Sequence, residues 1–205
     1  MTTMTAFPLS EVSRKVLRLQ VITVIWMSAE AIVSLGTAWS SRSPALFAFG
    51  GDSLVELFSA SVVFWRFVTH TTEERAERTA ARTAGALLFA LGALVVFGSV
   101  TTLLGYNQPT PSRLGIGVLV AAIAIMPWLA REKRRLSGLT GSAALRADAA
   151  QSNLCAYLAL VALVGLAVNV IWHIRWADPL AALAVVPFIA YEGFEAVRGR
   201  PCGCK

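Results

Sequence analysis

Asp52 and Glu56 are two carboxylates four residues apart within an otherwise apolar stretch, Ala-Leu-Phe-Ala-Phe-Gly-Gly-Asp-Ser-Leu-Val-Glu-Leu-Phe-Ser (45–59). On a helix that spacing puts both on one face, about one turn from each other. Like charges so placed repel, and something must neutralise them: bound protons, a bound cation or a basic side chain. A charge in hydrocarbon costs about 2.5–3.5 kcal/mol even on the gentler insertion scale, so charges kept there mark function. No Lys or Arg is expected at matching depth in another apolar stretch, which leaves protons or a metal ion, in turn or together. The competing explanation is a protonated carboxyl pair that hydrogen-bonds neighbouring helices.

A second stretch, Arg-Ala-Asp-Ala-Ala-Gln-Ser-Asn-Leu-Cys-Ala-Tyr (146–157), places Asp148, Gln151 or Ser152, and Cys155 on one helical stripe. Asp52 and Glu56 lie roughly 8 and 12 residues from the outer end of their helix, and Gln151 and Cys155 roughly 7 and 11 from the inner end of theirs. The two helices run in opposite directions, so both pairs fall near the bilayer midplane. Two carboxylates, an amide oxygen and a thiolate can surround one ion of the zinc or cadmium type. Taken alone, Cys155 is equally a small buried hydrophobe and Gln151 an interhelical hydrogen-bonder.

Glu30 and Ser34 form a polar stripe in the first apolar run, suited to an ion or proton path or to helix packing. Cys202 and Cys204, in a terminal Pro-Cys-Gly-Cys-Lys, offer two thiols, half of a tetrahedral soft-metal site. Asp178-Pro179 is the pattern of an aspartate N-cap with proline at the first helical position. Glu192 and Glu195 are expected to snorkel to the nearby helix end, with Arg198 within reach of Glu195. There is no H-E-x-x-H, G-x-S-x-G or P-loop, and His70 and His173 fall at opposite ends of the bundle, so an enzyme is not expected.

The elements that must position these groups follow from composition. The chain has 205 residues, 56% hydrophobic and 15% charged, with a mean hydropathy of +0.64, too little polar surface for a water-soluble globule. Apolar runs at roughly 16–39, 44–68, 83–104, 113–130, 144–172 and 176–197 are each long enough to span a bilayer. The expected fold is all-α, a polytopic bundle of six transmembrane helices (1–198) followed by a short cytosolic Cys-containing tail (199–205). Fifteen of the 18 Lys and Arg fall on one side of that topology, which places both termini and the loops near 69–82 and 131–143 in the cytosol. The Arg-Glu-Lys-Arg-Arg run (131–135) is then an orientation signal touching lipid headgroups, not a nucleic-acid patch. Ala29-Glu30-Ala31 has the form of a signal-peptide cleavage site, but the apolar pattern continues past it and the charge alternation needs the first helix.

Six spans with Gly-Asp-Ser-Leu-Val-Glu (51–56) in the second, Leu-Arg-Ala-Asp-Ala (145–149) opening the fifth and Trp-Ala-Asp-Pro-Leu-Ala-Ala (176–182) opening the sixth resemble the membrane domain of the cation diffusion facilitator family. The resemblance covers essentially the whole chain. It implies proton-coupled efflux of a divalent metal across the cell membrane, the metal held by paired ligands on the second and fifth helices. Position by position these are Asp52, Glu56, Gln151 and Cys155, with Asp148, Glu30, Cys202 and Cys204 as further candidates. Gln151 stands where that family has histidine and Cys155 where it has aspartate, which favours a softer ion such as cadmium over zinc. The soluble domain usual after the sixth helix is not in this sequence, so the resemblance implies that any homodimer forms through membrane helices. Two other functions fit the same residues: a membrane metal-binding or regulatory protein that moves nothing, and a small multidrug exporter using Asp52 and Glu56 to exchange protons for organic cations.

Overall fold

The computed structural model describes residues 9–69, 74–110 and 112–198. Cys202, Cys204 and His70 lie outside the described residues. Six helices follow one another: α1 (Leu9–Ser41), α2 (Pro44–Thr69), α3 (Glu74–Leu103), α4 (Arg113–Thr140), α5 (Ala143–Trp172) and α6 (Ala177–Val197), and the described residues contain no strand. Each carries a segment long and apolar enough to cross a membrane. The all-α, six-span architecture expected from the sequence is therefore observed. Three helices are longer than their apolar runs: α1 begins at Leu9, α3 at Glu74, and α4 continues through the basic run to Thr140.

Local chemistry sets the ends. Ser112 and Ser142 are extended N-caps whose hydroxyls accept from the amides of Gly115 and Leu145, satisfying N–H groups the first turn leaves free. Gly141 adopts φ +65° as the left-handed C-cap of α4, so α4 and α5 turn back on each other within two residues. Arg42 takes φ +53° in the equally short turn between α1 and α2. Pro127 and Pro187 lie inside α4 and α6, which continue through them.

Helices α1, α2, α5 and α4 form a closed ring, each packing on the next, while α3 and α6 pair with each other and lie against α2 and α5. As the one helix in contact with α1, α3, α5 and α6, α2 is the most enclosed. Close approach depends on small residues, as is usual where lipid removes the hydrophobic drive between helices. A Cβ on Gly51 would collide with the Leu91 side chain, and one on Gly165 with Ala181 Cβ. Outward faces carry Ile25, Ile32, Phe97, Leu114, Val164 and Trp172, all exposed and suited to acyl chains. Between α3 and α6 the surface holds an apolar groove lined by Leu88, Phe89, Gly92, Val96, Val186 and Ala190.

Asp178 is not the N-cap of α6. That position belongs to Trp176, which has helical φ and ψ and makes no side-chain cap. Asp178 lies buried in the first turn and accepts a 2.7 Å hydrogen bond from Ser43, whose oxygen also accepts from the Leu46 amide, so one hydroxyl ties the start of α2 to the start of α6. Ser43→Ala is expected to destabilise the fold by about 1–3 kcal/mol, because a buried carboxyl loses its side-chain partner. Thermal unfolding in detergent checks this, with Ser43→Thr near wild type; an unchanged melting temperature in Ser43→Ala would contradict it.

Candidate functional site

The 3.6-residue period brings Phe49, Asp52, Ser53 and Glu56 to the inward side of α2. Asp52 and Glu56 are 1% and 0% exposed. Among the described residues neither oxygen of Asp52 accepts a hydrogen bond, and Glu56 Oε2 is also without a partner. Opposite them on α5, Cys155 is fully buried and its thiol points to Glu30 Oε1 of α1 at 3.6 Å. Ser53 donates to the same Glu30 oxygen at 2.6 Å. Asp52 lies within electrostatic reach of Glu30, Glu56 and Cys155. Asp52, Glu56, Cys155 and Glu30 are all buried in the bundle interior.

One turn nearer the end where α1 and α5 begin and α2 and α4 finish, a basic residue joins them. Lys133 is 0% exposed; its ammonium donates to Ser152 Oγ at 2.7 Å and lies 3.0 Å from Asp148 Oδ1 and 3.6 Å from Glu56 Oε1. Ser152 donates in turn to Glu56 Oε1. Gln20 of α1 donates to Asp148 Oδ2 at 2.8 Å. This corrects the expectation that no basic group reaches the depth of Glu56. α4 does not stop near residue 130, and Lys133 alone of its basic run turns inward, while Arg131, Arg134 and Arg135 remain exposed. The signal was periodicity: Met126, Leu129, Ala130, Lys133, Leu136 and Ser137 are all buried, at helical spacing.

Gln151 is half-buried, and no hydrogen bond or ion pair joins it to the other candidates among the described residues. Its neighbour Ser152 is the α5 residue that meets Glu56. Glu192 does not snorkel: it is 7% exposed, with Oε2 unpartnered, and it interacts electrostatically with Asp52 and Glu56. Arg198 lies over the Phe194 ring, 3.8 Å from its centre, with no ion pair to Glu195 among the described residues. Among the described residues the interior thus buries Glu30, Asp52, Glu56, Asp148 and Glu192, of which Glu56 and Asp148 lie within 4 Å of the buried Lys133 ammonium. Charge balance requires further protons or a cation. Among the described residues no three histidine, cysteine, aspartate or glutamate side chains are grouped closely enough to hold one metal ion.

A helical membrane bundle with ionisable groups gathered at its centre defines the class of membrane proteins whose interior handles ions. Residues 21–199 match the family model described as the cation efflux transmembrane domain, and the chain belongs to the cation efflux family. It is also 26% identical over 175 residues to an uncharacterized transporter of Synechocystis sp., a match covering 81% of this chain. The chain spans 56% of the length of that relative.

Proposed function

We propose that the protein exports a divalent metal ion, zinc or a softer ion such as cadmium, from the cytosol in exchange for protons. The observation that carries this is Asp52, a fully buried carboxyl group on the inward side of α2, neither oxygen of which has a hydrogen-bond partner among the described residues, within electrostatic reach of Glu56 and Cys155. A carboxylate that no protein donor satisfies is suited to a cation or a proton, and one that alternates between them couples the two. The metal enters from the cytosol and displaces protons, since oxygen and sulfur ligands bind a metal deprotonated. Asp52, Glu56 and Cys155 draw together on it, with the Gln151 amide as the fourth ligand. After the bundle reorients, protons returning to the carboxyl groups release the ion. Mixed hard and soft ligands bind tightly enough to select and loosely enough to let go.

The charge distribution supports the orientation: with fifteen of 18 Lys and Arg at one end, that end and both termini lie in the cytosol of a cell-membrane protein. Residues 1–198 form the transport unit. The tail 199–205 is a cytosolic segment whose Cys202 and Cys204 are suited to soft metals.

Counterflow tests the proposal. Proteoliposomes preloaded with unlabelled cadmium or zinc are expected to accumulate the radioactive ion transiently above its external level. Uptake that saturates at one ion per protein would identify a static metal binder. Loss of metal counterflow with retained exchange of organic cations would identify a multidrug exporter.

A further inference from the structure

Metal binding by Asp52, Glu56 and Cys155 leaves without a role the one buried basic side chain among the described residues, that of Lys133. It is held by two other helices at once, Ser152 and Asp148 of α5 at 2.7 and 3.0 Å and Glu56 of α2 at 3.6 Å, with Gln20 of α1 fixing Asp148 from the other side. A buried ion pair is weak evidence for stability, because a well-packed apolar pair of the same volume usually serves as well or better. The contacts are also unequal. Asp148 is a close partner, itself anchored by Gln20, whereas Glu56 is farther off and bridged through Ser152, with its second oxygen left open. Lys133 therefore has a fixed home at Asp148 and a looser hold on Glu56.

We propose that Lys133 is a resident counter-cation of the transport site. It neutralises Glu56 when no metal is bound, gives up Glu56 to an arriving metal while remaining paired with Asp148, and takes Glu56 back as the metal leaves. This inference rests on the transport function proposed above. Lys133 acts through Glu56 as a positioning and specificity residue, because an entering ion must outcompete an ammonium already in place. A divalent metal does so; a monovalent cation, carrying no more charge than the ammonium, does not. The resident charge also raises KM and hastens release, as a built-in competitor must.

The test compares wild type with K133M/D148N, which removes both charges of the close pair so that neither is left buried alone, and with K133R, which keeps the cation. Cadmium affinity is read by calorimetry on the purified proteins, and KM and kcat by counterflow. In K133M/D148N, cadmium is expected to bind about 10-fold tighter, with kcat about 10-fold lower and potassium now competing. K133R is expected to retain wild-type exclusion of potassium. Unchanged or weaker cadmium binding in a K133M/D148N protein that melts like wild type would overturn the proposal. If that variant does not fold, S152A carries the test: loss of the bridge to Glu56 is expected to tighten cadmium about 3-fold, and unchanged or weaker binding overturns it. Wild type that binds no cadmium would instead remove the metal function on which the inference rests.

Discussion

Asp52→Asn is expected to reduce metal counterflow by about 100-fold or more while leaving the fold at least as stable as wild type. The two halves of that expectation come from the same fact. Because no group among the described residues donates to either Asp52 oxygen, no hydrogen bond among them is lost when one becomes an amide. Removing one negative charge from a cluster that also contains Glu30, Glu56 and Glu192 relieves repulsion. What the variant lacks is an anionic ligand and a group that can exchange a proton for a metal. Counterflow in proteoliposomes and melting in detergent measure the two effects separately. Flux above a tenth of wild type would take Asp52 out of the mechanism, and a large fall in melting temperature would show that its role is architectural.

The second large effect is expected at Gly85, where α3 meets α6. A Cβ there would stand 2.7 Å from the carbonyl oxygen of Gly193 and 3.0 Å from the amide nitrogen of Val197. Both obstacles are backbone, so relief requires the helices to separate rather than a side chain to turn. Gly85→Val is expected to cost about 1–3 kcal/mol or more, as overpacking does in well-filled interiors. Gly98, on the same helix, has nothing within 4 Å of the same virtual atom. Gly98→Ala is therefore expected to be neutral or to stabilise by about 0.5–1 kcal/mol. Thermal unfolding of the two variants side by side is the check; equal melting temperatures would mean that α3 and α6 are not locked through this contact.

Much of this was legible in the residues themselves. The number and order of the helices followed from apolar runs of spanning length, a signal that lipid makes nearly unambiguous. Helical period alone placed Asp52 and Glu56 on one face of α2 and Cys155 on a stripe of α5. Lys133 was hidden because a cluster of like charges at a helix end is ordinarily a solvated face, and composition does not distinguish its one inward member from three exposed neighbours. Glu192 was hidden by nearness to a helix end, which says how far a side chain is from water along the axis but not which way it faces. Asp178 looked like a local cap because Asp-Pro is a strong local pattern, yet its partner Ser43 is 135 positions away. Across these cases, period along one helix was readable and the identity of the facing helix was not.

The tight turn at Arg42 and Ser43 has a consequence for how the chain enters the lipid during synthesis. Threaded singly through a translocon, α2 would bring two acidic side chains into hydrocarbon, at about 5–7 kcal/mol on the insertion scale. With only two residues between α1 and α2, the hairpin is short enough to partition as a unit, and the hydroxyl of Ser53 already reaches the Glu30 carboxyl group across it. The first two segments are therefore expected to enter the lipid as a pair, which glycosylation mapping of truncated nascent chains checks.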